Sequence, residues 1–248
     1  MPEKRNIRLV LEYDGTRYHG WQRQKTDPTI QAVLEDRIQV MIGESVTVHG
    51  SGRTDAGVHA LNQVCHFTTS SGIDPAAMKK GLNALLPHDI HIKDAREVPL
   101  DFHARYGTRS KTYEYRILNR GEPDIFRLPF VWHIRDPLNT PAMKQCLSLL
   151  TGEHDFSSFM STGSKTRSPI RTMLKAELLE PESGLLLFRF EANGFLRHMV
   201  RNIMGSLVDV GRGKIGPREF EEIFGTGDRT LAGIKAPAQG LFLVEVTY

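Results

Sequence analysis

One carboxylate stands apart in a glycine-rich stretch of the sequence. Asp55 lies in GSGRTDAGVHA, residues 50–60, with Arg53 two positions before it and His59 four positions after it. A carboxylate on such a loop can act as a nucleophile or a base, and glycines allow a ligand to approach the backbone closely. The alternative is a structural Asx turn in which Asp55 pairs with Arg53.

The surrounding residues do not match a cofactor or metal site. The glycine spacing is neither G-x-G-x-x-G nor G-x-x-x-x-G-K-[ST], and no helical pattern follows it. His88 and His91 would point to opposite faces of a strand, which disfavours a shared metal. Cys65 and Cys146 form no C-x-x-C motif, so we expect two free thiols in a reducing compartment.

The charge of the chain is informative through its distribution. The 248 residues are 40% hydrophobic and 25% charged, with a net charge of only +3, so the total charge does not indicate a nucleic-acid partner. Basic residues concentrate in three runs, 17–25, 101–116 and 163–175, and the middle run also contains aromatic residues. Such mixtures suit phosphate contact and base stacking, although each run alone could be a solvated surface.

The location of the protein is suggested by what the sequence lacks. No stretch approaches the roughly 18 apolar residues of a membrane span. The N-terminal residues are charged and have no apolar core of the kind found in signal peptides. We therefore expect a soluble, cytoplasmic protein that does not bind membranes.

Hydrophobic periodicity predicts the same order of elements twice along the chain. The first half is predicted to contain a strand at 6–13, a helix at 29–44, strands at 45–50 and 62–69, a helix at 74–87 and a strand at 89–98. The second is predicted to contain a strand at 108–118, a helix at 140–154 capped by Thr140, strands at 172–180 and 185–192, helices at 195–211 and 216–225, and a strand at 240–248.

This order predicts an α+β protein with two ferredoxin-like (β-α-β-β-α-β) halves, 1–105 and 106–248. Each half would form an antiparallel sheet with helices on one face. The two open faces would meet around a central catalytic cleft suited to an elongated ligand. Residues 155–169 are rich in Ser, Gly and basic side chains, which indicates a mobile surface loop.

Six stretches together resemble one known family. They are YDGTRYHGWQRQ (13–24), GSGRTDAGVHA (50–60), DFHARY (101–106), KTYEYRI (111–117), FLRHMVRNIMGSL (195–207) and APAQGLFL (236–243). In this order they resemble the bacterial tRNA pseudouridine synthase A family over essentially the whole chain. The resemblance implies an isomerase that converts uridine to pseudouridine at positions 38, 39 and 40 of the tRNA anticodon stem-loop. It also implies a homodimer that uses no cofactor and no metal.

The resemblance assigns roles to individual residues. Asp55 matches the nucleophilic aspartate, and Arg201 matches the arginine of the M-V-R-N helix. Tyr113 matches the tyrosine of the K-x-Y-x-Y stretch, and Leu241 the leucine near the end of the chain; both would contact the uracil. Because a nearby positive charge keeps a carboxylate ionised, we expect Arg201 to serve Asp55. Arg53 is a further candidate for substrate binding.

Contacts to the rest of the RNA are expected from the basic runs. The target uridine must leave its stack to reach Asp55, at a cost of a few kcal/mol that contacts to the flanking RNA must offset. The candidate RNA-binding residues are Trp21, Arg23, Arg105, Lys165 and Arg167. Trp21 could equally be a core residue.

Two other functions would use part of this pattern. A catalytically inactive RNA-binding protein would need only the basic runs, yet Asp55, Tyr113 and Arg201 are all retained. A glycosidase-like enzyme acting on nucleosides would need a second carboxylate as the acid, and the loop supplies only one. The sequence therefore favours the tRNA-uridine isomerase. It leaves open whether Asp55 attacks C1′, attacks C6 or starts an elimination.

Overall fold

The computed structural model describes residues 3–163, 166 and 168–248, which form ten β-strands and five α-helices. In chain order these are β1 (Arg5–Tyr13), α1 (Ile30–Ile42), β2 (His49–Gly50), β3 (His59–Thr69), α2 (Pro75–Leu85), β4 (Ile90–Val98), β5 (Ser110–Asn119), β6 (Trp132–Ile134), α3 (Thr140–Leu149), β7 (Gly152–Asp155), β8 (Ile170–Glu182), β9 (Leu185–Ala192), α4 (Met199–Gly211), α5 (Pro217–Thr226) and β10 (Leu241–Thr247). The predicted α+β class is confirmed. Within these residues, no helix is long and apolar enough to cross a membrane.

The chain folds as two compact units. Unit 1 comprises Met1–Arg109 together with Phe242–Tyr248, and unit 2 comprises Ser110–Leu241. Most of β10 therefore lies in unit 1, whereas the sequence pattern placed the whole strand in the second half. The reason is strand pairing, because Phe242 and Leu243 pair in parallel with β3.

Unit 1 has the predicted β-α-β-β-α-β order and then gains β10. Its sheet has the strand order β4-β1-β3-β10, and β1 is antiparallel to both of its neighbours. The Thr29 side chain caps α1 by accepting a hydrogen bond from Ala32 N, and Gly43 ends the helix at φ 72°. One difference is that β2 has two residues rather than the predicted six.

The sheet face of unit 1 that was expected to be open is partly covered. Alternation along β1 buries Ile7, Leu9 and Leu11 on one face, and the opposite face carries Asn6. The Asn6 Nδ2 atom donates hydrogen bonds to the Pro99 and Phe102 carbonyls at 3.0 and 2.9 Å. The chain that follows β4 is thereby held across this face.

Three imidazoles lie together beneath the same segment. The His66 ring lies 5.2 Å from the His49 ring and 4.7 Å from the His103 ring, between centroids. The Nδ1 atom of His66 accepts a hydrogen bond from Ala104 N at 3.2 Å. Burial, together with the two neighbouring histidines, lowers the pKa of His66 to about 4. This imidazole is therefore neutral at neutral pH.

We expect the stability of the protein to fall as the pH drops from 6.5 toward 4. An ordinary histidine has a pKa near 6.5, so in this window the unfolded chain binds a proton that folded His66 does not. Above this window neither state binds the proton, so the free energy of unfolding is at its full value. Across the window the free energy of unfolding falls by an amount on the order of 2–3 kcal/mol. Urea unfolding at pH 7 and pH 5 measures it. The change His66→Asn should flatten the dependence, and His91→Asn, at an exposed site on β4, should not.

Unit 2 contains an antiparallel sheet in the order β5-β9-β8-β7, and β6 pairs in parallel with β5. The predicted helix at 140–154 is too long at its end, because α3 stops at Leu149 and the chain then enters β7. The helix cap is also one residue earlier than predicted. Asn139, not Thr140, caps α3 by accepting a hydrogen bond from Ala142 N; an Asn side chain reaches this donor readily from the cap position.

The predicted mobile loop at 155–169 is wrong for its first part. Phe156 and Phe159 are completely buried. Their rings lie 5.2 and 5.5 Å from the ring of Phe224 on α5. The Ser158 hydroxyl donates a hydrogen bond to the Ile223 carbonyl at 2.7 Å. The sequence pattern did not predict this aromatic cluster, because most residues of the segment are polar. Further along this segment, residues 164, 165 and 167 lie outside the described part of the chain.

Candidate functional site

Asp55 lies on a loop between β2 and β3 that is fixed by hydrogen bonds. Trp21 N donates to the Thr54 carbonyl and Val58 N donates to the Asp55 carbonyl, both at 3.1 Å. The Thr54 hydroxyl forms a buried hydrogen bond of 2.8 Å with the Tyr13 hydroxyl. Asp55 itself is partly exposed. The loop therefore holds a solvent-accessible carboxylate on a well-defined backbone, which suits a catalytic group.

Glycines allow a second backbone segment to support this loop. Gly20 has φ 85°, and a Cβ there would overlap the Thr54 carbonyl oxygen and lie 3.0 Å from the Asp55 carbonyl carbon. A Cβ at Gly15 would likewise overlap the Val58 carbonyl oxygen. The stretch 13–24 therefore packs directly on the loop. The sequence pattern assigned the loop glycines to ligand access and did not predict this support.

A buried polar pair shapes the start of the same loop. The Ser51 hydroxyl donates to Gln63 Oε1 at 2.7 Å, and Gln63 Nε2 donates to the Gly52 carbonyl at 3.0 Å. Both side chains are fully buried. No signal in the sequence distinguishes these two polar residues from the others in and near β3, such as Asn62 and His66. Arg53 is exposed, and its Nε donates to Gln22 Oε1 at 3.0 Å.

His59 closes the loop at the start of β3 as a structural residue. It is 1% exposed, and its Nδ1 accepts a hydrogen bond from Gly15 N at 3.1 Å. Its ring stacks on Phe242 with centroids 4.6 Å apart. This geometry makes His59 a hydrogen-bonded structural residue of the loop.

Unit 2 carries the other three predicted site residues, and all three are buried. Tyr113 on β5 is 7% exposed and meets the Phe195 ring edge-to-face at 4.9 Å. Arg201 in the first turn of α4 is 8% exposed, and its Nε donates to the Ala236 carbonyl at 2.8 Å. Leu241 is 5% exposed. A tyrosine and an arginine that are buried and oriented can bind a planar polar base more selectively than exposed ones.

Residues 228–240, here called the strap, lie across α4 and orient Arg201. Ala236 N donates back to the Arg201 carbonyl at 3.0 Å, so both the backbone and the side chain of Arg201 bind this one residue. The Gly233 N–H donates to the Ser206 hydroxyl at 2.9 Å. The position of the guanidinium is therefore set by the strap as much as by the helix.

The far end of the strap is fixed to β5 and leads into Leu241. The Tyr115 hydroxyl donates to the Pro237 carbonyl at 2.8 Å, and burial raises the pKa of Tyr115. A Cβ at Gly240 would lie 2.8 Å from the Tyr115 ring. Because Tyr115 is fully buried, it is a support for the strap and not a second stacking residue.

A buried asparagine locks the strap to the aromatic cluster. Asn202 is 1% exposed. Its Nδ2 donates to the Phe159 carbonyl at 2.8 Å, and its Oδ1 accepts from Arg229 Nη2 at 3.0 Å. The sequence resemblance assigned no role to Asn202. A polar residue in a helix buried on nearly every side was the available signal, because such a group must have partners.

Strained backbone precedes this helix. His198 has φ 63° and is the one non-glycine residue with positive φ in the described ranges. Its carbonyl accepts a hydrogen bond from Asn202 N at 2.9 Å. The left-handed conformation, which costs about 1 kcal/mol or more for such a residue, explains why α4 begins at residue 199 rather than at the predicted 195. It places Arg201 in the first turn of the helix.

The predicted RNA contacts in the run 17–25 do not fit the structure. Trp21 is 2% exposed, and a Cβ at Gly50 would lie 2.6 Å from its ring. Trp21 is thus a core residue with no ring face available to a base. Arg23 is exposed, but its guanidinium binds Glu35 at 2.6 Å and Asp36 at 2.7 Å. Those carboxylates compensate the charge that a phosphate would need.

The remaining RNA candidates differ in what can be said of them. Arg105 is exposed, and its guanidinium carbon lies 5.8 Å from the centroid of the Tyr106 ring. Lys165 and Arg167 lie outside the described residues. Arg105 therefore remains the RNA-binding candidate with a described environment.

Cys65 and Cys146 are both buried free thiols, as predicted, and burial raises the pKa of Cys146 to about 11. Across 3–163, 166 and 168–248, no group of three or more His, Cys, Asp or Glu side chains could hold a metal ion.

Comparison with known proteins places this α+β chain among the pseudouridine synthases, a class of isomerases. The tRNA pseudouridine synthase family matches residues 9–107 and 147–248. The chain belongs to this family. It is 46% identical over 248 residues to tRNA pseudouridine synthase A of Thermoanaerobacter sp. strain X514, covering 98% of this chain and 100% of that protein.

Two further relatives have similar scores. The chain is 44% identical over 244 residues to tRNA pseudouridine synthase A of Acetivibrio thermocellus and 43% identical over 244 residues to tRNA pseudouridine synthase A 2 of Clostridium perfringens, with 98% of this chain and 100% of each relative covered. Among solved structures, an H/ACA RNP bound to a substrate RNA containing 2′-deoxyuridine matches 82% of this chain and 44% of that chain at 17% identity. Its TM-score of 0.36 is too low to support any inference.

Proposed function

We propose that the protein is an active tRNA pseudouridine synthase that isomerises uridine at positions 38, 39 and 40 of the anticodon stem-loop. The observation that carries the proposal is the placement of Asp55, a partly exposed carboxylate on a backbone-fixed loop in a chain of this family. The inactive RNA-binding alternative has less support, because the relatives bear the name of the enzyme and the candidate catalytic residues are intact.

The reaction needs one carboxylate and no change in overall composition. The bond between C1′ and N1 breaks, the uracil turns, and C5 bonds to C1′. The proton from C5 is lost and N1 gains one, so substrate and product are isomers. Asp55 would act as the nucleophile, at C1′ or C6, or as the base that starts an elimination, and it is regenerated at the end.

The other site residues would hold and orient the base. We assign Tyr113 to stacking on the uracil, a contact worth ~1–3 kcal/mol, and Leu241 to packing against it. Arg201 would supply a fixed positive charge, and Arg53 would bind the substrate near the loop. The burial of Tyr113, Arg201 and Leu241 supports these roles, since water is excluded from around the side chains.

The setting of the reaction completes the proposal. The partner is tRNA, bound by a homodimer in the cytoplasm, and no cofactor or metal takes part. The resemblance of the six sequence stretches supports each of these assignments. Sedimentation of the purified protein measures the dimer directly.

The proposed activity is tested by release of tritium from tRNA that carries [5-³H]uridine. Forming the new bond at C5 must expel that tritium, so the purified protein should release it without added cofactor. Mapping of pseudouridine in the product should place it at positions 38, 39 and 40. Tight tRNA binding without tritium release would favour the RNA-binding alternative instead.

Removal of the Arg201 guanidinium should reduce kcat by about 10² to 10³. Arg201→Lys keeps the charge but loses the planar group that the Ala236 carbonyl orients, so it should restore only part of the rate lost in Arg201→Ala. Single-turnover tritium release measures both. Arg197→Ala is the matched control, because Arg197 is exposed and lies just before the same helix. Equal rates for Arg201→Ala and the control would contradict the role of Arg201.

A further inference from the structure

The ring of Tyr106 is unusually exposed for an aromatic residue. Tyr106 lies in the turn formed by residues 102–109, between β4 and β5, and 79% of its surface is accessible to solvent. Single exposed apolar side chains are common on protein surfaces, so exposure alone does not identify a ligand for Tyr106. The surroundings of Tyr106 indicate which kind of partner would bind it.

The turn that presents Tyr106 is rigid. His103 Nδ1 accepts hydrogen bonds from Arg105 N at 3.1 Å and from Tyr106 N at 3.3 Å. The Gly107 N–H donates to the His103 carbonyl at 3.0 Å. The Thr108 hydroxyl donates to the Ala104 carbonyl at 2.8 Å, so both sides of the turn are tied to its interior. The backbone that carries the ring is therefore already ordered and loses little entropy when the ring binds a ligand.

The Tyr106 ring is the outer member of a cluster of aromatic rings. Its centroid lies 4.3 Å from that of His103. His103 contacts His66, and His66 stacks on His49, as described for unit 1. The Tyr106 ring is thus supported by His103, and 79% of the residue remains accessible to a further planar group. The Arg105 guanidinium carbon lies 5.8 Å from the ring centroid. This is the geometry of a stacking platform for a base.

The charge around the ring favours a polyanion. Arg105 and Arg109 flank Tyr106, and both are exposed. Over the ranges that the structure describes, neither guanidinium has a carboxylate within 4 Å. Residues 102–109 include no acidic side chain. An unpaired base on the ring would therefore bring its phosphates toward two uncompensated positive charges.

We propose that Tyr106 is a stacking site for one unpaired base of the substrate RNA, with Arg105 and Arg109 binding the adjacent phosphates. The site is separate from the residues assigned to the target uridine, and the choice of RNA as ligand rests on the proposed function. It would anchor a second nucleotide of the RNA and help to offset the cost of extruding the uridine.

The first test is the affinity for a synthetic anticodon stem-loop RNA at fixed salt. Tyr106→Ala should raise Kd roughly 5- to 150-fold, the range that loss of one stacked base gives. Tyr106→Trp should retain the affinity, because it preserves a planar ring. Phe126→Ala is the matched control, since Phe126 is 85% exposed and lies in another loop. The value of kcat at saturating RNA should be unchanged in the Phe126→Ala control.

The second test identifies the nucleotide. Each loop base of the RNA is replaced in turn by an abasic site, and binding is measured with the wild type and with Tyr106→Ala. At one position the abasic RNA should bind the wild type more weakly than the intact RNA does. Tyr106→Ala should bind the abasic and the intact RNA equally well, because in this variant the same contact is already absent. Independent losses at every position would contradict stacking on Tyr106.

The outcomes separate this proposal from the proposed function. Unchanged Kd for Tyr106→Ala overturns the stacking site even if tritium release by the wild type is normal. Unchanged Kd together with a shift in sedimentation would assign the ring to contact between two copies of the chain. Absence of tritium release by the wild type contradicts the enzyme alone, because the binding measurements do not depend on turnover.

Discussion

Asp55→Asn should abolish tritium release while the protein stays folded and binds tRNA. The substitution keeps the shape of the side chain and removes the charge that a nucleophile or base needs. The loop should survive, since the hydrogen bonds of its backbone and the Tyr13–Thr54 pair do not involve the Asp55 carboxylate. We expect the rate to fall by about four orders of magnitude or more, the scale seen when an enzyme loses its nucleophile.

The measurement is single-turnover tritium release with enzyme in excess, beside tRNA affinity and urea unfolding. Asp94→Asn is the control, because Asp94 is a partly exposed carboxylate on β4 of the same unit. A rate for Asp55→Asn within about tenfold of wild type would eliminate Asp55 as the nucleophile. Loss of tRNA binding or of the fold would assign Asp55 a structural role.

Gly205→Ala should have the largest effect on unit 2. A Cβ at this position would overlap the Ile234 carbonyl oxygen and lie 2.8 Å from its carbonyl carbon. Both are backbone atoms, so no side chain can turn aside, and the strap must move away from α4. We expect a loss of about 3 kcal/mol or more in the free energy of unfolding. Displacement of Ala236 should also release the Arg201 guanidinium and lower kcat.

The control for this prediction is Gly225→Ala. Gly225 lies in α5, where a Cβ would meet nothing within 4 Å. The change should be neutral or stabilising by roughly 0.5–1 kcal/mol, because alanine is the better helix former. Urea unfolding distinguishes the two variants, and tritium release measures the effect on Arg201. Equal stabilities would show that the strap does not need the close approach at Gly205.

Much of the local structure could be predicted because it is encoded locally. Periodicity located α1 and α2, and both helices begin after a residue that favours the cap position, Thr29 for α1 and Asp74 for α2. The strands β1 and β9 were predicted from alternation. Boundaries failed where a single backbone conformation decided them, as at His198, because periodicity carries no information about an isolated positive φ.

Long-range pairing could not be predicted for a different reason. Alternating residues in β10 show that it is a strand, but they do not identify β3 as its partner. The burial of Phe156 and Phe159 likewise depends on Phe224, far along the chain. A hydrophobic pattern can indicate that a residue is buried, but it does not identify the residues that cover it.

The candidate site was found through resemblance, and its supports were found only in the structure. Asp55, Tyr113, Arg201 and Leu241 were located because their motifs match a family. The close approach of Gly20 to the Asp55 loop is contact between two backbones, and sequence indicates such contact only through an unexplained glycine. The Asn202 side chain bonds to Phe159 and Arg229, which are 43 and 27 positions away in the chain, so the sequence could not identify these partners.

The place of β10 in unit 1 has a consequence for biosynthesis. Residues 242–248 leave the ribosome after all of unit 2 has been translated, yet they pair with the strand that follows the Asp55 loop. During translation, the edge of β3 that pairs with β10 is therefore still unpaired when the first 109 residues have been made. The loop reaches its final support only when synthesis has passed beyond unit 2, so a nascent chain that stalls earlier carries Asp55 in an unfinished setting.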